Sequence, residues 1–173
     1  MSRNLTLLTD LYQLTMMSGY LKNGKKDDVA VFDLFFRRNG LITYSVAAGL
    51  EQAVEYIRSV RFTEEDVAYL RSLELFDEDF LAYLRAFRFT GDVYAVPEGT
   101  VVFPEEPILT VRAPLPEAQL VETALLNIVN HQTLIATKAA KVAYAAAGDA
   151  VMEFGLRRAQ GPDAGVYGAR AAV

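Results

Sequence analysis

The chain has 173 residues, 52% of them hydrophobic, which is enough to bury a substantial core in one domain or slightly more. It contains no cysteine, which excludes a disulfide framework and a thiolate zinc site and fits a reducing compartment such as the cytoplasm. The net charge is −5 with acidic and basic residues interspersed, which argues against nucleic acid or an anionic membrane as the main partner but not against a small anionic ligand.

The N-terminal part of the chain predicts one helix followed by two strands. Apolar residues recur at mostly helical spacing over residues 7–22, where Thr9 or Asp10 can cap the first turn. Residues 29–36 are rich in β-branched and aromatic side chains and predict a buried strand. Residues 41–46 predict the second arm of a hairpin with that strand.

Short helices and then short strands follow along the chain. Helical spacing returns after Gly49, Thr63 begins a sequence typical of a capping box, and Asp77 is a candidate N-cap for a third helix. The segment 93–111 contains three short strand candidates separated by prolines and glycines, which suggests a small sheet or half-barrel.

Three glutamates, Glu98, Glu105 and Glu106, lie among the turns of that segment. Paired carboxylates can serve in acid–base chemistry. Turns flanked by prolines are usually exposed, and solvated loop charges are therefore the favoured interpretation of these three residues.

The C-terminal part predicts helices and one more strand. Pro116 suits the first turn of a helix. The apolar stretch 120–147 is too long for one ordinary helix, and Asn130-His131 predicts a junction near its middle. Residues 150–154 predict a strand that leads into a pair of arginines.

Arg157 and Arg158 form that pair, at a position where the predicted strand ends. The carboxyl ends of strands gather ligands in α/β folds. A guanidinium can bind a carboxylate or phosphate through two parallel hydrogen bonds. For an arginine pair taken alone, ion pairing with neighbours such as Asp163 or Glu153 is the commoner explanation.

Two other side chains are weighed as ligand contacts. Tyr12 lies among the polar residues of the first helix and can offer an aromatic face while its hydroxyl stays in water, although a partly buried core tyrosine is commoner. His131 is the only histidine, so it cannot build a metal site by itself. No nearby serine or cysteine completes a catalytic triad with it.

Five segments, in order and over nearly the whole chain, resemble one enzyme family. They are LLTDLYQLTMMSGYL (7–21), AVFDLFFRRN (30–39), VAAGLEQAVEYI (46–57), the run 89–140 from FTGDVYAVPEGT to ATKAA, and EFGLRRAQGPDAG (153–165). The family is nicotinate phosphoribosyltransferase. The resemblance implies an α/β fold, with an N-terminal α/β domain over 1–115, and with linking helices and the first part of an irregular type II α/β barrel over 116–173.

The resemblance also implies a reaction in pyridine nucleotide salvage. Nicotinate attacks the anomeric carbon of phosphoribosyl pyrophosphate, pyrophosphate leaves, and ATP hydrolysis is coupled to the formation of nicotinate mononucleotide. Mg²⁺ would accompany phosphoribosyl pyrophosphate and ATP. No metal ligand and no catalytic residue is carried over to this chain, because the histidine that the family phosphorylates would lie beyond Val173.

Five residues of this chain match positions that the family uses for substrate. Tyr12 would form a wall of the nicotinate site, contributed across a homodimer interface. Phe154 and Arg157 fall on the family's FG-x-R element, with Arg157 as the anion-binding residue and Phe154 near the ring. Arg158 is a supporting candidate, and Asp10 would support the tyrosine helix.

Family members are much longer than this chain, which puts activity of these residues alone in doubt. We expect an N-terminal portion that is inactive by itself, in the cytoplasm and without membrane or nucleic-acid partners. Two alternatives stay open: a quinolinate or nicotinamide phosphoribosyltransferase relative, or a non-catalytic shortened subunit that complements a longer chain.

Overall fold

The computed structural model describes residues 4–38, 40 and 42–173, and within them helices and strands are mixed along the chain. The helices are α1 (Leu11–Lys22), α2 (Leu50–Ser59), α3 (Glu64–Ser72), α4 (Glu78–Ala86), α5 (Leu115–Ala146) and α6 (Pro162–Ala172). The strands are β1 (Val29–Leu34), β2 (Ser45–Val46), β3 (Asp92–Ala95), β4 (Val101–Val102) and β5 (Leu109–Pro114). The predicted α/β class is confirmed.

The chain divides into two compact units, each built from three separate segments. The first unit comprises the segment up to Phe32 and the segments Val54–Tyr94 and Thr110–Leu125. The second comprises Asp33–Ala53, Ala95–Leu109 and Leu126–Val173. The predicted division into a domain over 1–115 and the first part of a barrel over 116–173 refers to the domains of a longer enzyme and stays a prediction.

The first unit packs its helices around an aromatic and leucine core. Strands pair in the order β1-β5-β3, and the alternating burial along β5 turns Val111 and Ala113 inward. Phe80 and Leu84 of α4 are fully buried, and Phe87 meets Phe62 edge to face at 5.8 Å between ring centroids. Each such side chain contributes about 2 kcal/mol of apolar burial.

Two of the three helix caps predicted in this unit are confirmed, whereas the cap predicted at Thr9 or Asp10 for α1 does not form. The Thr63 hydroxyl accepts a hydrogen bond from the Asp66 amide at 3.1 Å, and the Asp66 carboxylate accepts one from the Thr63 amide at 2.8 Å, completing the capping box of α3. Asp77 caps α4 by accepting from the Phe80 amide at 3.0 Å. Both caps form because donor and acceptor are three residues apart.

Asp77 gives the unit a pH-dependent stabilisation. The hydrogen bond from Phe80, and then the Lys22 ammonium at 3.0 Å, hold the pKa of Asp77 below its ordinary value. The carboxylate therefore stabilises the fold above that ordinary value, and the stabilisation is lost as pH falls through the lowered one. We expect Asp77→Asn to lower the urea midpoint at about pH 7. The difference from the wild type should shrink as pH falls through the lowered pKa of Asp77, since the protonated carboxyl is neutral like the asparagine amide. An equal loss above and below that pKa would show that the charge has no role.

The second unit holds the small antiparallel pair of β2 and β4, in which Ser45 lies opposite Val102. The predicted hairpin between residues 29–36 and 41–46 is wrong, since β1 pairs with β5 instead. Part of that predicted hairpin, Asn39 and Leu41, lies outside the described residues. The end of β1 and the residues after it are bonded by a later loop, with the Ile108 amide donating to the Leu34 carbonyl at 2.8 Å and the Glu105 amide donating to the Phe36 carbonyl at 3.0 Å.

Helix α5 runs unbroken for 32 residues, so the predicted junction at Asn130-His131 is wrong. No glycine or proline follows Pro116 within it, and asparagine and histidine carry only a modest helical penalty. In the second unit, the buried Thr137 hydroxyl accepts from the Val46 amide at 2.9 Å and anchors this part of the helix. None of the helices in the described ranges is long and apolar enough to cross a membrane.

The strand predicted at residues 150–154 is also wrong. The segment is irregular and strongly exposed, and within the described part of the chain it has no partner strand to bond its main chain. A single 3₁₀ turn, Leu156–Arg158, follows it, and α6 then begins with Pro162 in its first turn. The arginine pair therefore lies on a short turn and not at the end of a strand.

Candidate functional site

The 3₁₀ turn places both arginines in one open groove of the second unit. The groove has a volume of about 770 Å³ and is lined by Phe154, Arg157 and Arg158 on one side and by α5 residues that include Leu134 and Lys138 on the other. Phe154 is 77% exposed, so its ring is free to meet a ligand. The groove combines an aromatic face, apolar walls, three cationic side chains and the single Glu153 carboxylate, and this excess of positive charge suits a flat anion.

The commoner explanation of the arginine pair does not hold here. Within residues 4–38, 40 and 42–173, neither the Arg157 nor the Arg158 guanidinium has an ion-pair or hydrogen-bond partner. The Glu153 carboxylate instead accepts from the Gly155 amide next to it. Both guanidinium groups therefore keep their donors available for a carboxylate or phosphate.

The turn that carries the arginines packs against α6. A methyl group at Gly165 would lie 2.4 Å from a terminal carbon of Leu156, so α6 approaches the leucine side chain closely at this position. The turn itself is closed by the Arg158 amide, which donates to the Gly155 carbonyl at 2.8 Å. The orientation of the turn thus depends on where α6 lies.

Tyr12 lies in the first unit, at the start of α1, and is 52% exposed. The fully buried Gln13 directs its amide group at the Tyr12 hydroxyl oxygen at 3.1 Å and at the Glu122 carboxylate at 2.9 Å. Because the phenol oxygen accepts this bond, its own hydrogen remains available to a ligand. Desolvation, and then the Glu122 and Asp10 carboxylates, raise the pKa of Tyr12, so the hydroxyl stays protonated at neutral pH and acts as a donor.

Asp10 occupies the N-cap position of α1 without capping it, because its side chain forms no bond to the helix amides. Its carboxylate accepts instead from the Thr123 hydroxyl at 3.2 Å, on the first turns of α5. Asp10 therefore ties the start of the tyrosine helix to α5 within the first unit. The supporting role expected of Asp10 at the substrate site stays a prediction.

Glu98 is not the solvated loop charge that the sequence favours. Its carboxylate accepts from the Gly49 and Leu50 amides at 2.6 and 2.8 Å, where α2 begins, and pairs with Arg170 of α6 at 2.6 Å. The Arg170 pair, and to a lesser extent those amides, hold the pKa of Glu98 below its ordinary value. Arg170 and Gln13 are the two site residues that sequence reasoning missed.

No metal centre is formed by the described residues. Residues 4–38, 40 and 42–173 contain no group of three or more histidine, cysteine, aspartate or glutamate side chains that could hold an ion. His131 lies within α5, and its Nε2 atom is buried without a hydrogen-bond partner among those residues.

The five residues expected at the site fall into two groups. Phe154, Arg157 and Arg158 share the groove of the second unit, whereas Tyr12 and Asp10 belong to the first unit.

Comparison with known proteins gives consistent matches. A family model described as the nicotinate phosphoribosyltransferase (NAPRTase) N-terminal domain matches residues 7–130. A nicotinate phosphoribosyltransferase from Bacillus subtilis is 51% identical over 174 residues, covering 98% of this chain and 35% of the relative. A nicotinate phosphoribosyltransferase from Mycobacterium tuberculosis is 49% identical over 166 residues, covering 95% of this chain and 35% of the relative. The chain thus spans about a third of the length of these curated relatives.

Two solved structures share the fold. The crystal structure of human nicotinic acid phosphoribosyltransferase superposes with a TM-score of 0.86 at 41% identity, over 95% of this chain and 34% of that chain. The crystal structure of nicotinate-nucleotide pyrophosphorylase from Pyrococcus furiosus has a TM-score of 0.72 at 23% identity, over 97% of this chain and 36% of that chain, and shows likeness of fold alone. The predicted phosphoribosyltransferase fold is confirmed.

Proposed function

The chain belongs to the nicotinate phosphoribosyltransferase family, and we propose that it forms the N-terminal part of an enzyme that joins nicotinate to phosphoribosyl pyrophosphate. In this reaction the pyridine nitrogen forms a bond to the anomeric carbon while the bond from that carbon to the pyrophosphate oxygen breaks. The products are nicotinate mononucleotide and pyrophosphate. The reaction belongs to the salvage of pyridine nucleotides.

One observation carries this proposal: two guanidinium groups without partners among the described residues lie beside an exposed phenyl ring in one groove. Nicotinate is a flat aromatic ring with one carboxylate, so it needs an aromatic face and a bidentate cation. We assign the carboxylate to Arg157 and the ring to Phe154. Arg158 is assigned to a second anionic group, the phosphate of the sugar or the far end of the same carboxylate.

The proposal also includes Mg²⁺ and the phosphate groups of the two phosphorylated substrates. Mg²⁺, when bound, neutralises the charge of the pyrophosphate and of ATP and so eases departure of the leaving group. Since the described residues form no acidic cluster that fits the ion, we propose that Mg²⁺ is carried by the phosphates of the substrates. Coupled ATP hydrolysis belongs to the same proposal, and no step of it is assigned to a residue of this chain.

Tyr12 completes the proposed site through a second copy of the chain. Its ring is half exposed and its hydroxyl is held as a hydrogen-bond donor, which supports contact with a ligand of a homodimer partner. The homodimer, the assignment of Tyr12 across it and a cytoplasmic location all remain predictions.

Binding of the pyridine is the direct test. We expect calorimetric titration of this chain to show nicotinate bound at least about tenfold more tightly than nicotinamide, since only nicotinate carries the charge that Arg157 would pair with. Equal binding of the two pyridines would contradict the assignment. A parallel assay with nicotinate, phosphoribosyl pyrophosphate, ATP and Mg²⁺ tests the expectation that these residues alone form no mononucleotide, with the Bacillus subtilis relative as the positive control.

A further inference from the structure

Arg170 of α6 forms the most heavily bonded cluster of charges in the second unit. One terminal nitrogen, Nη2, donates to the Glu51 carboxylate at 2.9 Å and to the Glu98 carboxylate at 2.6 Å. The other, Nη1, donates to the Gln132 amide oxygen at 3.2 Å and to Glu98 at 3.3 Å. A single guanidinium therefore reaches acceptors on α2, on α5 and on the loop between β3 and β4.

The acceptors of Arg170 are themselves fixed. Glu98 also receives the Gly49 and Leu50 amides at the start of α2, so its carboxylate is shared between a helix N-terminus and Arg170. The Gln132 amide nitrogen donates to Gln52 of α2 at 2.7 Å. The far side of the cluster is thus part of the body of the unit, and Arg170 attaches α6 to it through hydrogen bonds.

On its opposite side, α6 supports the turn with the two arginines. Gly165 lies directly against Leu156, as described above, and Gly168 lies against Ile135 of α5, where an added methyl group would be 3.1 Å from the isoleucine side chain. Because the 3₁₀ turn packs against α6, a displaced α6 would remove contacts that support the turn. The path from Glu98 through Arg170 and α6 to Leu156 consists only of contacts inside one compact unit.

We propose that Arg170 is a positioning residue that holds α6 in place and thereby sets the direction in which Arg157 and Arg158 point into the groove. In its consequence for nicotinate, this inference rests on the proposed function. Arginine is required because its planar fork serves three acceptors at once, which a lysine ammonium on a flexible stem does not do. Without a cation, the carboxylates of Glu51 and Glu98 that share one nitrogen repel each other.

Amide hydrogen exchange provides a readout that does not depend on any ligand. We expect Arg170→Met to accelerate exchange of the Arg158 and Ala159 amides, which close the turn, by about tenfold, while the amides of α4 in the first unit keep their wild-type rates. Arg112→Met is the matched control, because it removes the same charge from the first unit. It also removes one exposed ion pair, the one that Arg112 forms with Asp92 at 3.5 Å. Unchanged exchange at Arg158 and Ala159 in Arg170→Met, or equal acceleration in the control, overturns the inference.

Nicotinate titration then separates this inference from the proposed function. We expect Arg170→Met to weaken nicotinate binding by about the same factor as it accelerates amide exchange in the turn. In Arg170→Lys, the nicotinate affinity and the exchange rate should both lie between those of the wild type and Arg170→Met. Accelerated exchange in a protein whose wild type binds no nicotinate supports the positioning role and overturns the proposed function. If Arg170→Met does not fold, the lysine variant decides, and wild-type exchange at the turn in that variant overturns the inference.

Discussion

The Arg157→Gln variant is expected to bind nicotinate about 10- to 50-fold more weakly than the wild type. A hydrogen bond to a charged group contributes about 1.5–3 kcal/mol, and each 1.4 kcal/mol corresponds to about tenfold in affinity. The lower part of that range applies because the groove is open to solvent, which screens the pair. Glutamine keeps a polar amide but is shorter than arginine, so the change removes the charge and the bidentate fork together. Calorimetric titration of the folded variant measures the effect.

Two comparisons make the Arg157 prediction specific. Nicotinamide has no carboxylate, so its affinity should change less than twofold, that is by less than about 0.5 kcal/mol, in the same variant. Arg158→Gln removes the same charge from the neighbouring position and should have the smaller effect on nicotinate. If Arg158→Gln has the larger effect, the carboxylate belongs to Arg158. If neither variant weakens binding, the groove is not the nicotinate site.

Local signals in the sequence predicted much of the local structure, although the cap expected at Thr9 or Asp10 did not form. The caps at Thr63 and Asp77 and the helical start at Pro116 were all confirmed, because each depends on bonds or dihedral angles within three or four residues. The strand expected at residues 150–154 failed for the opposite reason. A strand needs a neighbour to bond its main chain, and no pattern within five residues reports whether a neighbour exists.

The site was predictable in part only, and the missing part consists of long-range contacts. Gln13 lies 109 residues from Glu122 along the chain, and Arg170 lies 72 residues from Glu98. Neither pair has a spacing that sequence periodicity can detect. The substrate residues themselves came from resemblance to a family and not from composition, since an arginine pair alone favours ordinary ion pairing.

The largest expected effect on stability is that of Gly91→Ala. Gly91 precedes β3, which pairs with β5, and a methyl group at this position would lie 2.4 Å from the Ala113 methyl group and 2.6 Å from the Arg112 carbonyl oxygen. The obstructing groups are main-chain atoms and a buried alanine, so no flexible side chain can move aside. Overpacking of this kind costs about 1–3 kcal/mol, and the upper end applies because the strands themselves must separate.

Gly19→Ala is the control that isolates the clash at Gly91 from the general effect of replacing a glycine. Gly19 lies within α1, and nothing lies within 4 Å of the position that a methyl group would take. Alanine is favoured over glycine inside a helix by about 1 kcal/mol, so Gly19→Ala should raise the urea midpoint while Gly91→Ala lowers it. The two variants carry the same chemical change, and opposite signs therefore follow only if close strand approach excludes a side chain at Gly91. A midpoint for Gly91→Ala at or above that of the wild type would show that β3 and β5 can separate freely there.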